Sequence, residues 1–365
     1  MSRGTVSEIN LSALHHNLII VRQIAGKRTV IAVVKADAYG HGSVRISKEL
    51  VSAGVSHLAV AFAEEARILR DAGIAAKIIV LFDRSEIPDY FAYDLVPVIY
   101  DIDTAVAFSR EAKKRGKKVR IHLKVDTGMG RMGFMPETAV AASASISEME
   151  GIELEGLLSH FSEADSNDCS HALQQLEAFS IIRSAIEQRT GRKLLAHMAN
   201  SAALLSLKGG LLDAVRPGLA LYGYSPFQEG YGLRPVMKIK TRVLSIRRLT
   251  AGTPVSYSRS FITTKESKIA VVPVGYADGY NRLFSNNADM LVRGKRVPVV
   301  GRICMDLTMI DVTSVGDVTE GEEVVLLGKQ GDDMITAKEL SSRINTIPYE
   351  VMTSMGSRAK KEYIG

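Results

Sequence analysis

From Thr29 onward the chain repeats one unit eight times: a short apolar run, then a segment with helical spacing. The apolar runs centre near residues 33, 59, 79, 97, 121, 156, 196 and 213. Helical spacing follows over 43–53, 63–72, 85–91, 104–115, 136–146, 171–188 and 201–207, and Leu219–Tyr222 begins one more helical turn. Gly54, Gly73 and Gly116 stop three of these segments and Pro136 opens another, as residues with these backbone preferences do at helix ends. Strict alternation of this kind demands parallel strands joined by right-handed crossovers. Eight units fit a closed (β/α)8 barrel of the TIM type; an open doubly wound sheet is the alternative. Pro97, inside the fourth run, argues against its strand.

In such a barrel, catalytic groups sit just past the carboxyl ends of the strands and face one mouth. Chemically capable residues collect there. Lys35 and Tyr39 follow the first run, Lys124, Asp126 and Arg131 the fifth, and His160 the sixth. His197, Asn200 and Ser201 follow the seventh, and Arg216 and Gly218 the eighth. Lys35 closes the apolar run and opens a small-residue turn, Ala36-Asp37-Ala38-Tyr39-Gly40-His41-Gly42. At the edge of an apolar core a lysine is pushed toward its neutral form, and a neutral amine attacks aldehydes. The alternative is a lysine emerging from a strand end into water.

Gly128-Met129-Gly130-Arg131-Met132-Gly133 fits the GxGxxG pattern, but Pro136 starts the helix only after the glycines have ended. A dinucleotide fingerprint opens its helix within them. The glycines instead suit a turn that presents Arg131. Ala199-Asn200-Ser201 and Arg216-Pro217-Gly218-Leu219 end their runs where free backbone N–H groups can hold an anion. A lysine and a phosphate cup at one mouth suggest pyridoxal 5'-phosphate (PLP), an aldehyde with a phosphate handle. Two ordinary capped helices are the plain alternative.

From about Gly232 the pattern changes to alternating strands: 237–243, 268–272, 290–293, 297–300, 308–312 and 323–327, with Arg293-Gly294-Lys295-Arg296 as a hairpin candidate. Helical spacing returns over 337–344 and 350–354. Three domain segments are expected: a strand within residues 1–10 joining the β domain, a barrel over 11–232, and a mainly β domain over 233–365. Tyrosines stand in small-residue settings at Tyr257, Tyr276 and Tyr349. Gly301-Arg302-Ile303-Cys304-Met305-Asp306 reads as a β-turn after a buried strand.

With 365 residues, 46% of them hydrophobic and 24% charged, the chain can bury two cores. A net charge of +6 without a basic-aromatic block gives nucleic acid little to bind; the run Lys113–Lys118 reads as a helix carboxyl end. Cys169 and Cys304 make neither a disulfide framework nor a metal site. No signal core or membrane-spanning run is seen, so a cytoplasmic enzyme without a membrane partner is expected.

Taken together, the motifs resemble the alanine racemase family, fold-type III PLP enzymes. The matching stretches include Val34–Gly42, His122–Arg131, Ser159-His160-Phe161, Ala199-Asn200-Ser201, Arg216–Gly223, Val255-Ser256-Tyr257, Gly275–Gly279, Gly301–Asp306 and Pro348-Tyr349-Glu350. The resemblance implies that Lys35 anchors PLP covalently, that Arg216 faces the pyridine nitrogen, and that Tyr39, Ser201, Gly218, Leu219 and Tyr349 hold the phosphate. It implies that His160 stacks on the ring with Asn200 beside it, and that Arg131 and the Met305 backbone take the substrate carboxylate. Lys124 (carbamylated in the family), His197, Tyr276 and Asp306 would support these groups. Tyr257 would be the second base with Lys35, supplied by the other subunit of a homodimer with composite sites. The activity implied is interconversion of L- and D-alanine, which supplies D-alanine for peptidoglycan.

Ser258 stands where the family often has Gly, and the tail from Ser357 to Tyr363 is atypical. A racemase of serine or another small amino acid is therefore an alternative. A non-catalytic PLP-binding protein is another, although it would resemble the barrel alone. A related decarboxylase shares the two-domain plan, but its active-site cysteine pattern is not seen.

Overall fold

The computed structural model describes residues 4–227, 231–355 and 358–365. The chain divides into two compact units. One takes the N-terminal segment up to Leu14, Tyr39–Gly42 and Arg234–Gly365; the other takes His15–Ala38 and Ser43–Leu233.

The second unit is the barrel. After β1 (Val6–Asn10), which belongs to the other unit, come β2 (Thr29–Val33), β3 (His57–Val60), β4 (Lys77–Val80), β5 (Leu95–Ile99), β6 (Val119–Lys124), β7 (Ile152–Leu158), β8 (Leu195–His197) and β9 (Ala214–Val215). These eight are all parallel and close on themselves, β9 pairing back to β2 through Thr29↔Ala214 and Val30↔Val215. Leu58, Ile78, Val80, Val98, Ile121 and Leu157 are fully buried, the continuous apolar character of strands covered on both faces. Pro97 is accommodated because pairing with β6 begins only at Val98. Helices lie where the spacing placed them, with one exception. Leu219–Tyr222 forms overlapping turns and no helix, because the chain leaves the barrel there.

In the other unit, β1 pairs antiparallel with β10 (Met237–Arg242). β11 (Ser245–Leu249), β14 (Ser267–Val272) and β17 (Thr308–Asp311) form a three-stranded sheet, and β12 (Pro254–Val255) pairs with β13 (Phe261–Ile262). β15 (Asp289–Val292) and β16 (Lys295–Pro298) form the expected hairpin, turned through Arg293 and Gly294 with φ of 52 and 72°. β18 (Glu323–Gln330) sits beside β10, β19 (Asp333–Ile335) pairs with β18, and β20 (Lys360–Ile364) pairs parallel with β1. Ser357 of the atypical tail lies outside the described residues; from Lys360 the tail is an edge strand, and its charges are what an exposed edge carries. No helix among the described residues is long and apolar enough to cross a membrane.

Candidate active site

Beyond β2 the chain adopts a turn that its residue types do not announce. Ala36, Asp37, Ala38 and Tyr39 have φ of 51, 52, 53 and 55°, a turn of left-handed helix built without glycine. Each such residue costs about 1–2 kcal/mol, so other groups must hold the turn. The Ala38 amide donates to Val34 O at 2.9 Å and the Ser43 amide to Asp37 Oδ1 at 2.7 Å. The Ala36 amide donates to Glu65 Oε1 at 2.6 Å, while Glu65 Oε2 accepts from the Ala61 and Phe62 amides at 2.7 and 3.2 Å. Glu65 therefore ties this turn to the end of β3.

Lys35 stands at the root of the turn, its Nζ 5.4 Å from the centre of the Phe82 ring. Lys124 Nζ and Arg131 Cζ each lie 5.5 Å from the same ring. Gathering three cationic groups around one aromatic face perturbs the two lysines. Burial lowers the Lys35 pKa and Arg131 lowers it further, against the pull of Glu65. Burial, then Arg131 and Arg216, bring Lys124 down to about 8.

The glycine run resolves into an amide nest. Asp126 Oδ1 accepts from the Gly128, Met129 and Gly130 amides at 3.0, 2.8 and 3.1 Å, and Oδ2 from the Arg131 amide at 2.8 Å. The nest is filled by the chain's own carboxylate, which excludes a dinucleotide phosphate and fixes the backbone under Arg131. Burial opposes the charge on Asp126, yet the four amides hold its pKa below the usual value.

Arg216, 5% exposed, is the hub of the mouth. Its Nη1 donates to His197 Nδ1 at 2.6 Å and to His197 O at 2.8 Å. Its Nη2 donates to Ser159 O, Met198 O and His160 Nδ1 at 2.7, 3.1 and 3.2 Å. These acceptors are all neutral. Burial and the nearby Arg131 pull Arg216 down to about 10. Burial, with Arg216 next, also keeps both histidines neutral: His160 falls to about 3 and His197 well below its ordinary value. Sequence reasoning missed Gln175, which is buried on the helix Ser170–Thr190 and donates to His160 O at 3.1 Å while accepting from the Ser162 amide at 3.0 Å. A glutamine at a helical core position gave no other signal.

Asn200 caps the helix Ser201–Ser206, its Oδ1 accepting from the Ala203 amide at 3.0 Å. Ser201 Oγ accepts from the Gly218 and Ala220 amides at 3.0 and 3.1 Å. The intervening Leu219 amide, in a residue 1% exposed, has no acceptor among the described residues. A buried donor of this kind suits an anion.

In the other unit, Tyr39 and Tyr349 rings lie 5.7 Å apart, and burial, then Tyr349, raises the Tyr39 pKa. Three motifs from the last third converge. The Tyr276 and Ala277 amides donate to Cys304 O and Met305 O at 3.1 and 3.0 Å, and Ser256 Oγ donates to Arg302 O at 2.6 Å. Gly301–Asp306 is thus a loop zipped to Gly275–Gly279 and to the 256–259 turn. A Cβ on Gly275 would lie 2.4 Å from Met305 O, which explains the glycine. Tyr257, Tyr276 and Met305 are 66, 43 and 55% exposed. Arg358, in the atypical tail, ion-pairs with Asp306 at 3.0 Å and lies 3.6 Å from Asp278. The tail's resemblance gap concealed that contact.

A closed parallel barrel whose reactive side chains gather past the carboxyl ends of its strands is a (β/α)8 barrel enzyme in plan. Models of the alanine racemase N-terminal and C-terminal domains match residues 9–226 and 236–363. An alanine racemase of Thermodesulfovibrio yellowstonii is 48% identical over 368 residues, covering 100% of this chain and 99% of that one. Alanine racemase 2 of Caldanaerobacter subterraneus subsp. tengcongensis is 43% identical over 369 residues, covering 99% and 95%. The crystal structure of alanine racemase from Bacillus anthracis with bound L-Ala-P superposes with a TM-score of 0.93 at 34% identity, covering 100% of this chain and 96% of that one. Alanine racemase from Bartonella henselae with covalently bound pyridoxal phosphate gives 0.89 at 30% identity, covering 99% of each. The chain belongs to the alanine racemase family.

Proposed function

We propose that this chain is a PLP-dependent alanine racemase, an isomerase that interconverts L- and D-alanine and supplies D-alanine for peptidoglycan. The observation that carries the reading is Lys35: an amine biased toward its neutral form, rooted in a strained turn at the barrel mouth. The residues fit the cofactor. The Leu219 amide, braced by Ser201 and Gly218, suits the phosphate, with Tyr39 and Tyr349 as further partners. Arg216 suits the pyridine nitrogen, where an always-cationic donor disfavours ring protonation. His160 suits the ring and Asn200 the backbone beside the phosphate. When bound, PLP withdraws the electrons left by breaking the bond between Cα and hydrogen.

Racemisation removes a proton from one face of Cα and delivers one to the other, so two bases are needed. Lys35 serves one face and Tyr257 of a second copy the other; the exposure of Tyr257 and Met305 supports a homodimer with composite sites. Arg131 takes the substrate carboxylate with the Met305 backbone, and Tyr276 and Asp306 support that loop. A neutral Lys124 amine among cations can add CO2; the resulting carbamate would replace repulsion of Arg131 with attraction. The PLP-binding barrel spans 11–232 and the β domain the remainder, in a cytoplasmic protein. The test is a chiral assay of purified protein with PLP across alanine, serine and other small amino acids. Alanine should lead. Lys35→Ala should abolish both visible absorbance and turnover, and a Lys35→Ala protein that still racemises alanine refutes the reading.

A further inference from the structure

A buried polar column runs away from the mouth through the barrel interior. From Arg216 Nη1 it passes to His197 Nδ1 at 2.6 Å, then from His197 Nε2 to His122 Nδ1 at 2.8 Å. His122 Nε2 faces Glu155 Oε2 at 3.8 Å, an electrostatic contact longer than a hydrogen bond, and Glu155 Oε1 pairs with Lys77 Nζ. Both imidazoles are fully buried. Glu155 borders a cavity of about 510 Å³ that Lys118 and Arg192 also line. The column therefore starts at the mouth group Arg216 and ends beside solvent. Room for it is built in: β7 places Gly156 opposite His122, where a Cβ would lie 2.6 Å from His122 Nδ1.

The donors fix the direction of every proton. A guanidinium only donates, so His197 Nδ1 accepts and the His197 proton sits on Nε2. His122 Nδ1 must then accept, which places the His122 proton on Nε2, aimed at the Glu155 carboxylate. A second proton on His122 would set two donors face to face. We infer that His122 and Glu155 are positioning residues: His122 accepts the proton that Arg216 holds on His197 Nε2 and Glu155 faces the next one, which anchors the ring whose lone pair orients the Arg216 guanidinium at the mouth. This rests on the proposed role of Arg216 at the pyridine nitrogen and extends it to two residues that touch neither cofactor nor substrate. Charge near the ring then depends on a carboxylate at the far end of the barrel.

The experiment uses PLP-loaded enzyme labelled with 15N-histidine. In the wild type, the nitrogen shifts should show His197 and His122 both neutral with the proton on Nε2. In His122→Leu the His197 proton loses its acceptor. Its Nε2 shift should change with the loss of that hydrogen bond, the visible band of bound PLP should move, and kcat should fall about tenfold, the scale for partners one shell out from a site histidine. His122→Asn, which keeps an acceptor oxygen near Nδ1, should restore the His197 signature and the band. Glu155→Gln should leave the His122 proton on Nε2 and move the Nε2 shift as the facing charge is lost. A wild-type His197 carrying its proton on Nδ1 overturns the inference whether or not the leucine variant folds. So does an unchanged His197 signature and band in a folded His122→Leu, or an unchanged His122 Nε2 shift in Glu155→Gln. Arg216→Gln separates the two readings. If it leaves the band unmoved, the assignment of Arg216 fails. If it moves the band while His122→Leu does not, only the column fails.

Discussion

Removing Glu65 should release the left-handed turn that carries Lys35. Four consecutive residues at φ near +50° store about 4–8 kcal/mol at 1–2 each. Glu65 contributes two short charge-assisted hydrogen bonds, to the Ala36 and Ala61 amides at 2.6 and 2.7 Å, and a longer one to Phe62. At the low end of the range for charged acceptors, about 1.5 kcal/mol each, since Ala36 is exposed to replacement water, the two short bonds give about 3 kcal/mol. Glu65→Ala should therefore lower the melting midpoint by roughly 6–12 °C, at 2–4 °C per kcal/mol. Half of that energy acts on the turn itself, through Ala36, and a loss of about 1.4 kcal/mol there weakens PLP affinity about tenfold. Titrating PLP into the apo-protein by fluorescence measures this directly. Glu65→Ala that melts lower but binds PLP as the wild type does would show that Glu65 only caps its own helix, and that the turn holds itself.

Tyr257→Phe should slow proton abstraction from L-alanine far more than from D-alanine. Solvent-deuterium exchange in the two directions measures this, and equal slowing counts against the two-base assignment. Lys124 is a base whose folded pKa of about 8 lies below its unfolded value, so burying its charge destabilises the fold below pH 8, and that penalty fades as pH rises toward 10.5. CO2 adds only to the neutral amine, so a 13C-carbamate signal at subsaturating bicarbonate should rise with a midpoint near pH 8 and vanish in Lys124→Met; a midpoint in the ordinary lysine range contradicts the geometry. Asp126→Asn turns a carboxylate oxygen into an amide donor facing the Arg131 amide. It should raise KM about tenfold, from the roughly 1–3 kcal/mol of an unsatisfied donor, with kcat changed much less. Because the folded Asp126 pKa is depressed, its stabilisation is complete above the unfolded carboxylate value and is lost as pH falls through the folded one; acid titration of Asp126→Asn should lack that component.

The barrel was legible because parallel strands buried on both faces read as uninterrupted apolar runs, and its mouth was legible because residues past strand ends must converge. What escaped reading has a common physical form. Ala36-Asp37-Ala38-Tyr39 contains no glycine to flag its left-handed turn, since the conformation is imposed by Glu65 and Asp37 contacts and not by residue preference. The eighth apolar run did mark β9, although the strand keeps only two residues, but the helical turn expected after it gives way where the chain exits. The tail that carries β20 read only as atypical, because an edge strand exposes its charges. Glu65, Gln175 and Arg358 each resemble ordinary surface or helix residues until a partner distant in sequence, or in a separate loop, appears.

Arg216 shows the limit most clearly. Its place after the last barrel strand marked it from the sequence, yet its chemistry lies in having no carboxylate partner among the described residues. A guanidinium satisfied by carbonyls and neutral imidazoles keeps its full charge for the mouth, while an Asp or Glu beside it would have neutralised that field. The nearest carboxylate along the column is Glu155, separated from it by two imidazoles. That distance lets Glu155 face the last proton of the column without quenching the cation. A variant moving the carboxylate closer, His122→Glu, should give a folded protein whose Arg216 is neutralised in place; its bound-PLP band should then move as in Arg216→Gln, and a band identical to the wild type would refute this account of the mouth's charge.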